Sequence, residues 1–338
     1  PSYAARMASA APTFTVIMPI RNEADRIATT LRSVLAQDLP PDRMEVLVVD
    51  GHSDDDTRDV VARVAGDDPR VRLLDNPERI VPTALNRALA EARGDVIVRV
   101  DGHCALPPGY LARCEALLDE TGADCVGGMV ESRPSGDGVV ARAIALAMAS
   151  PFGTGAGFRV GRTEAGPVDT LAFGAYRREV FERLGTFDEE LVRNQDDEFN
   201  LRLTRAGGTI WMDPSLRSPY WTRGDLRSLW RQYFQYGVFK VRVAQKHRGV
   251  ASWRHLAPLA LVAVLLGGLG LSLVTRRRGP VLLVAGPYVA GTAAAAVVTG
   301  RDDPATIAVL PAAFATLQLS YGTGWLVGLW RWRHRFGG

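Results

Sequence analysis

Two apolar stretches of the sequence end in the same three residues, Asp-Gly-His, and this pattern limits the possible folds more than any other feature. Met44–Val49 is almost entirely apolar and runs into Asp50-Gly51-His52, while Asp95–Val100 runs into Asp101-Gly102-His103. Both stretches are predicted to be buried strands. Ligands of an open parallel sheet bind beyond the carboxyl ends of its strands. The two aspartates are therefore expected at one binding edge.

Apolar and amphipathic segments alternate along the first part of the chain. Phe14–Met18 is predicted to be the first strand, closed by Pro19, and Asn22 is predicted to cap the helix that follows. Further helices are predicted near Asp55–Val64 and over Pro82–Arg93. This alternation is typical of an α/β fold with a mostly parallel sheet and helices on both faces. Later strands are predicted at Val71–Leu74, Asp124–Val130, Val168–Phe173 and Ile210–Met212.

The composition indicates a globular protein, because 47% of the 338 residues are hydrophobic and the formal net charge is only +3. This balance gives no basic field over the whole chain, so no nucleic-acid partner is expected. Cys104, Cys114 and Cys125 match neither a disulfide framework nor a metal-binding spacing. We therefore expect reduced thiols in a cytosolic compartment.

Three long uncharged segments fill the last quarter of the chain. They are Leu256–Val274, Gly279–Thr299 and Thr306–Trp330, and a helix needs about 20 apolar residues to cross a bilayer. The preceding segment mixes basic with aromatic residues, as a helix on a membrane surface does, although an ordinary solvated helix is the alternative. We therefore expect a flexible lead-in over 1–12, an α/β domain over 13–224, a basic membrane-interface segment over 225–255, and a membrane domain over 256–338 with two or three spanning helices.

Two arginine clusters bear on the membrane topology. Arg276–Arg278 lies between the first two uncharged segments, and Arg331–Arg335 follows the third. With a cytosolic α/β domain, three crossings would place both clusters outside, against the positive-inside rule. Two crossings, with Leu256–Val274 re-entrant or interfacial, would place both inside, and this arrangement is favoured. Alternatively, the basic residues before Leu256 override the later charges.

Four segments of the sequence resemble, in order, the signature motifs of the family-2 glycosyltransferases. They are Val16–Glu23, Val48–Thr57, Phe173–Glu189 and Gln195–Arg202, and the likeness covers roughly residues 13–240. The resemblance implies the family's GT-A fold, a Rossmann-like α/β architecture, followed here by C-terminal transmembrane helices. Within the family, the Asp-Gly-His motif, the Ser150–Gly155 loop and the apolar C-terminal part look closest to the succinoglycan-type exopolysaccharide transferases.

The resemblance implies how a nucleotide sugar and a divalent cation would be held. Asp101 and His103 would bind Mn²⁺ or Mg²⁺ on the donor diphosphate. The family's usual metal motif is Asp-X-Asp, and the histidine found here suits Mn²⁺ better than Mg²⁺. A local alternative for the Asp50 turn is that it only caps the next helix. The donor-binding residues implied by the resemblance are Pro19, Arg21, Glu23, Asp50, Ser53 and Asp101.

The resemblance also implies a catalytic base. Asp196 would accept the proton of the acceptor hydroxyl and so give inversion in one step. The family's usual Glu-Asp pair is Gln195-Asp196 here. On the predicted helix, Gln195 and Asp196 are expected towards the buried face, with Asp197 and Glu198 turned further around it. The alternative is that these acids only stabilise the helix dipole.

Further residues are implied for the acceptor side or for a lid over the site. Pro151–Gly161 is rich in glycine and is interpreted as a mobile loop over the site or, alternatively, as a plain surface loop. The processive synthases' Gln-X-X-Arg-Trp signature is absent, which favours addition of a single sugar. The residues implied for acceptor or lid are Arg159, Gly174, Ala175, Asp197, Gln232 and Tyr236.

The resulting prediction is a hexosyltransferase-type glycosyltransferase that moves one sugar from a UDP- or GDP-sugar to a polyprenyl-linked saccharide. Its expected place is the cell membrane, as a multi-pass protein in contact with lipid, with a cytoplasmic catalytic domain that serves exopolysaccharide or envelope glycan synthesis. One alternative is a polyprenyl-phosphate sugar synthase. Another is a non-catalytic, membrane-tethered nucleotide-sugar-binding protein. A dinucleotide oxidoreductase is disfavoured, because no Gly-X-Gly-X-X-Gly follows the first strand.

Overall fold

The computed structural model describes residues 13–155, 163–250 and 252–335, and the chain divides into two compact units. The first lies within Pro1–Glu131 and Gly161–Tyr220, and the second within Ser132–Val160 and Trp221–Gly338. Ser132–Val160 thus belongs to the same unit as the C-terminal part, whereas the sequence-based boundaries kept all of 13–224 together. An ion pair inside the second unit accounts for part of this grouping, since Arg142 Nε lies 2.7 Å from Asp303 Oδ2.

Eight strands in the described residues form one mixed sheet in the order β3-β2-β1-β4-β7-β5-β8-β6. Strands β1 to β4 run parallel to one another, while β7 pairs antiparallel with β4 and β5, and β6 pairs antiparallel with β8. The α/β class is therefore confirmed. The strands are β1 (Phe14–Ile20), β2 (Met44–Asp50), β3 (Val71–Asp75), β4 (Val96–Arg99), β5 (Cys125–Arg133), β6 (Gly166–Val168), β7 (Ala175–Arg177) and β8 (Ile210–Trp221).

The helices follow the strands closely, as a parallel sheet requires. Every residue of β1 and β2 is buried, which explains their continuous apolar runs, because strands covered on both faces lack alternation. The helices are α1 (Ile27–Leu35), α2 (Thr57–Ala65), α3 (Val81–Glu91), α4 (Tyr110–Thr121), α5 (Val139–Ala149), α6 (Arg178–Leu184), α7 (Gln195–Arg205), α8 (Leu226–Lys246), α9 (Ala257–Thr275), α10 (Gly279–Thr299) and α11 (Leu310–Arg331).

Three local predictions were wrong. Asn22 does not cap α1, which begins at Ile27; it has a φ of +56° and accepts a hydrogen bond from the Asp54 N–H at 2.8 Å. Of the strand predicted over Val168–Phe173, only Val168 lies in a strand, at the end of β6, and the other residues belong to the connection to β7. Strand β8 is 12 residues long and contains two prolines. It tolerates them because β6 pairs only with its first three residues, Ile210–Met212, so neither proline has to donate a hydrogen bond to β6.

The carboxylate of Glu45 is among those buried within the sheet. Glu45 on β2 accepts hydrogen bonds from the Thr15 hydroxyl at 2.7 Å and from the Arg93 backbone N–H at 2.7 Å. The Arg93 guanidinium lies 2.7 Å from the same carboxylate. Burial alone would raise the pKa of Glu45, but these hydrogen bonds and the arginine charge outweigh it and lower the pKa below its ordinary value.

The second unit contains the apolar C-terminal helices. Two helices in the described residues, Trp253–Thr275 and Gly279–Thr299, are long and apolar enough to cross a membrane. They include α9 and α10, which are joined by the arginine turn. Leu256–Val274, which was expected to be re-entrant or interfacial, therefore lies within one of the two candidate spans. The third uncharged run forms α11, which lies outside that pair and has many buried residues.

Helices α8 and α11 pack side by side and run in the same direction. Close backbone approach at glycines allows this: a Cβ on Gly237 would lie 2.2 Å from the Tyr321 carbonyl, and one on Gly324 would lie 2.2 Å from that of Phe234. Further along both helices, the Gln245 side chain donates to the Trp332 carbonyl at 3.0 Å. The C-terminal half of α11 is thus covered by the basic helix predicted for the membrane surface.

Candidate active site

The turn after β2 is organised by Asp50. Its carboxylate accepts the Ser53 hydroxyl at 2.5 Å and the Ser53 backbone N–H at 3.2 Å, and it lies 3.0 Å from Arg58 Nη1. Arg58 also reaches Asp75 at the end of β3, at 2.7 Å. Since α2 begins only at Thr57, Asp50 shapes this turn and does not cap the helix. The Asp50 side chain is fully buried, so the groups it orients form the accessible surface.

The loop after β1 lies directly against this turn. The Asn22 N–H donates to the Ser53 hydroxyl at 2.9 Å, and the Glu23 N–H donates to the Thr57 hydroxyl at 2.8 Å. Arg21 is 41% exposed and lies 3.7 Å from Asp54, so its guanidinium is available to an anion. Register pairing places Pro19, the last predicted donor residue on β1, opposite Val49. The two predicted donor segments therefore form one surface.

The end of β4 carries an arginine that links two predicted functional acids. Arg99 Nε and Nη2 donate to the Asp101 carboxylate at 2.9 and 3.2 Å, and Arg99 Nη1 lies 3.2 Å from Asp196 Oδ2. Burial of Arg99 opposes its charged form, but the charges of Asp101 and Asp196 outweigh it and raise the pKa of Arg99 above its ordinary value. The predicted cation ligand and the predicted base therefore share one counter-charge.

His103 is held in place by Glu23. Its Nδ1 lies 2.8 Å from Glu23 Oε1, and its ring packs edge-on against Tyr220 with 5.0 Å between centroids. A Cβ on Gly102 would lie 2.9 Å from Glu23 Cγ, so glycine is needed here for Glu23 to reach the histidine. Glu23, predicted to contact the nucleotide, thus orients the histidine.

The side chains near Asp101 bear on whether a divalent cation could be held there. No group of three or more His, Cys, Asp or Glu side chains within the described residues is arranged to hold a metal. Asp101 and His103 still fit a cation that takes its other ligands from a diphosphate and water. The carboxylate that contacts Nδ1 leaves Nε2 of a neutral imidazole available as a ligand, an arrangement common at metal-binding histidines.

The three acids at the start of α7 have different environments. Asp196 Oδ1 accepts the Asp197 N–H at 2.9 Å, and its side chain remains 35% exposed. Glu198 is buried and is held by Arg202 through two contacts of 2.9 and 3.0 Å. The expectation that Glu198 turns away from the buried face was therefore wrong, because it lies three residues after buried Gln195, on the same face of the helix. Its burial excludes it as a base.

The remaining predicted acceptor or lid residues belong to different elements of the chain. Gly174 and Ala175 lie next to or within β7, where a Cβ on Gly174 would be 2.6 Å from Cys125 Sγ, so both are packed inside the sheet. Gln232 and Tyr236 belong to the second unit, on α8, and hydrogen-bond to each other at 2.9 Å. Arg159 and part of its glycine-rich loop lie outside the described residues. Asp197 lies in the first turn of α7.

Sequence reasoning missed Arg99, Asn22 and Arg58. Arg99 follows three apolar residues of a buried strand, and a charge in such a position needs a partner; this was the available signal. Asn22 was interpreted as a helix cap, and Arg58 was not singled out. The three cysteines were expected to be free thiols, and each is a buried free cysteine.

Comparison with known proteins identifies the family of this chain. Residues 15–185, about half of the chain, match the family model described as glycosyl transferase family 2. The succinoglycan biosynthesis protein ExoA of Rhizobium meliloti (strain 1021) is 35% identical over 263 residues, covering 75% of this chain and 77% of that protein. A glucuronosyltransferase of Methanococcus voltae, named as acting on dolichyl N-acetyl-α-D-glucosaminyl phosphate, is 25% identical over 239 residues, covering 68% and 74% of the two chains.

Solved structures agree on the fold. The mannosyltransferase PcManGT from Pyrobaculum calidifontis, in complex with GDP-Man and Mn²⁺, superposes with a TM-score of 0.62 at 23% identity, covering 95% of this chain and 88% of that one. S. aureus TarS superposes with a TM-score of 0.52 at 18% identity, covering 94% and 91%. The fold is therefore GT-A. Together with the family match, this shows that the chain is an enzyme of glycosyltransferase family 2.

Proposed function

We propose that the enzyme transfers one sugar, with inversion, from a nucleotide sugar to a lipid-linked glycan at the cytosolic face of the membrane, in exopolysaccharide or envelope glycan synthesis. The observation that carries the proposal is the arrangement of two sets of polar contacts that meet at the Asp101–His103 turn. One set joins Asp50 and Ser53 to the Asn22–Glu23 loop and His103, and the other joins Asp101 to Arg99 and Asp196. This arrangement joins a donor-binding edge to an acid suited to act as a base.

The donor end binds the nucleotide through groups that the Asp50 turn positions. Arg21 is the exposed cation of this edge, and Ser53 presents its hydroxyl beside it. Asp50 itself acts through Ser53 and Arg58, because its own carboxylate has no exposed surface. UDP- and GDP-sugars are the candidate donors, which is consistent with the GDP-Man and UDP-GlcNAc named for the two structural neighbours.

Asp101 and His103 would hold the divalent cation, and Glu23 would fix the histidine ring. When bound, this ion neutralises the charge that develops on the leaving diphosphate. His103 in place of the usual aspartate favours Mn²⁺ over Mg²⁺, since the harder Mg²⁺ prefers oxygen ligands. Arg99 keeps the Asp101 carboxylate oriented towards this edge.

Asp196 is the base of the proposed reaction. It takes the proton from the acceptor hydroxyl as the hydroxyl oxygen attacks the anomeric carbon and the bond to the diphosphate breaks. Arg99 Nη1 lies 3.2 Å from Asp196 Oδ2 and orients the carboxylate, and the partial exposure of Asp196 leaves it accessible to an acceptor. Base assistance of this kind contributes roughly 10²–10⁴-fold.

The proposed topology is a membrane hairpin of α9 and α10. Helix α11 is paired along its C-terminal half with α8, and α8 carries Lys240 and Arg242. A spanning α11 would draw Lys240, which lies between the α8 residues that contact Gly328, towards the bilayer core, at a cost of several kcal/mol or more. Two crossings therefore put both ends of the hairpin on the cytosolic side, with Arg276–Arg278 outside. The many basic residues of α8 and the C-terminal end stay inside, as the positive-inside rule favours.

Lipid-linked saccharides from a deletion strain test the proposed function. Mass spectrometry of the strain should show an accumulated acceptor that lacks one sugar. Membranes containing the full chain should extend this acceptor with one donor sugar and release the nucleoside diphosphate. A chain carrying Asp196→Asn should bind the donor nearly as well, while turnover falls by about 10²–10⁴-fold.

Two outcomes would favour the alternatives. An Asp196→Asn enzyme that retains turnover with a polyprenyl phosphate would indicate a polyprenyl-phosphate sugar synthase, because a phosphate acceptor is already ionised and needs no base. Donor binding without release of nucleoside diphosphate, whatever acceptor is supplied, would indicate a binding protein without turnover.

A further inference from the structure

A half-open cavity of about 220 Å³ lies in the first unit, between α3, β4 and α6. Its walls are largely apolar and include Leu89 and Ala90 from α3, Ile97 from β4 and Phe181 from α6. An apolar cavity of about 150 Å³ is large enough to bind benzene. This cavity therefore has room for one small organic molecule.

Arg178, the first residue of α6, brings a cationic group to the wall of this cavity. Its Nε donates to the Gly94 carbonyl at 2.7 Å, and its backbone N–H donates to the Asp95 carbonyl at 2.8 Å. Its Nη2 is buried and has no hydrogen-bond acceptor among the residues that the structure describes. Those residues also give the guanidinium no carboxylate partner. A buried cationic donor of this kind is unfavourable until an acceptor reaches it.

Two further polar side chains of the lining leave the Arg178 donor without an acceptor. The Asn86 side chain is already engaged, because it donates to the Phe187 carbonyl at 2.9 Å and accepts the Phe187 N–H at 3.0 Å. Glu182 lies one turn after Arg178 on α6 and is exposed, and within the described part of the chain it forms no ion pair with Arg178. Water suits these walls poorly, since a buried water needs about two to four polar partners.

We propose that this cavity binds a small organic carboxylate, with its apolar body against Leu89, Ile97 and Phe181 and its carboxylate on the Arg178 guanidinium. A guanidinium and a carboxylate are both planar and match each other through paired N–H···O bonds. A single cation suits a monoanion, and the volume suits a molecule of about ten heavy atoms or fewer. The proposal concerns the first unit alone and does not depend on the transfer reaction.

Fluorine NMR with para-fluorobenzoate tests the site. The purified full chain in neutral detergent is titrated with this probe, without nucleotide or metal, and protein-free micelles give the baseline. We expect a Kd of about 1 mM, as is usual for a molecule of this size. The matched neutral probe is para-fluorobenzamide, which has the same ring and no charge. It should bind about tenfold more weakly, because hydrogen bonds between charged groups are stronger than neutral ones.

Two variants remove either the cation or the space. Arg178→Met keeps an apolar side chain and should weaken benzoate binding at least about tenfold, while benzamide binding changes less than about twofold. Ala90→Phe, at an exposed position of α3, leaves Arg178 in place and should block both probes by filling the cavity. The second variant tests the site even if the first does not fold.

Two control variants separate a site from general charge attraction. Arg183→Met removes the same charge from the same helix outside the cavity, where Arg183 pairs with Asp124 at 2.6 Å, and should change benzoate binding less than about twofold. Glu182→Gln removes a negative charge from the cavity wall and should tighten benzoate binding by about two- to threefold.

Several results would overturn the proposal. Equal binding of the two probes would do so, as would benzoate binding that survives Ala90→Phe or is lost equally in the Arg183→Met control. Absence of benzoate binding to the wild type at about ten times the expected Kd would show that only water reaches the Arg178 donor.

Discussion

Replacement of Arg99 by methionine tests the arrangement of charges at the centre of the site. The substitution retains much of the apolar side chain and removes the cation shared by Asp101 and Asp196. Arg99 is only 10% exposed, and its guanidinium lies 2.9 Å from one carboxylate and 3.2 Å from the other. Without it, two carboxylates face the same gap, and Asp196 loses the contact that fixes its orientation.

The expected loss of folding stability follows from the charges that Arg99 contacts. Two opposite charges about 4 Å apart attract by roughly 4 kcal/mol at an effective dielectric constant of about 20, and desolvation of the arginine cancels part of this. Removing one partner of a buried ion pair costs roughly 3–5 kcal/mol. Asp101 is 21% and Asp196 35% exposed, so water screens both carboxylates. We therefore expect the free energy of unfolding to fall by about 2–3 kcal/mol.

Turnover should fall by more than the smaller fraction of folded enzyme explains. We expect kcat, measured by release of nucleoside diphosphate and corrected for the folded fraction, to drop about 10²-fold. Arg177→Met is a matched control: Arg177 donates to the carbonyls of Ala123 and Leu118 and has no role at the site. This control should lower the free energy of unfolding while leaving kcat of the folded enzyme within about threefold.

A double-mutant cycle decides whether Arg99 acts through Asp196. The variant carrying both Arg99→Met and Asp196→Asn should be no slower than Asp196→Asn alone, within about threefold, because the base is already absent. Full additivity of the two losses, or a wild-type kcat for Arg99→Met, would refute the reasoning.

Three further predictions use other parts of the molecule. EDTA should abolish turnover reversibly and Asp101→Ala permanently, while His103→Asp should stay active with its preference shifted towards Mg²⁺; full activity in EDTA would remove the cation from the mechanism. The pKa of Glu45 is lowered in the folded state, so its stabilisation is complete above its ordinary pKa of 4.5 and is lost as the pH falls through the lower folded value. Urea unfolding between pH 7 and 3 should therefore show a smaller loss for Glu45→Gln than for the wild type, and parallel curves would contradict this. Arg277→Cys should react with an impermeant thiol reagent added from outside, against a silent background from the native cysteines, whose thiols are buried with raised pKa values; labelling only after permeabilisation would exclude the hairpin topology.

Local patterns in the sequence were sufficient for the class of the fold and for much of the donor edge. Met44–Val49 and Asp95–Val100 are apolar runs that form buried parallel strands ending in Asp50 and near Asp101. Strands that are buried on both faces consist mostly of apolar residues, so they can be recognised from the sequence. The same holds for the two candidate membrane helices, whose uncharged length is itself the signal. The order of four motifs was enough for the family, as the family match confirms.

Only the tertiary structure decided which polar groups meet. Arg99 and Asp196 are separated by almost a hundred residues, and Glu23 and His103 by 80, so no periodicity within a window could pair them. The length of strand β8 was underestimated, because a proline argues against a strand locally. Its prolines are tolerated because β6 pairs only with Ile210–Met212, and that pairing is known only from the folded sheet. Likewise, an uncharged run such as α11 has the composition of a membrane span, yet glycines that admit α8 decide how much of it is covered. Sequence determines the preference of each segment for burial; the contacts that satisfy a buried charge or cover an apolar face are long-range, and they exist only once the chain has folded.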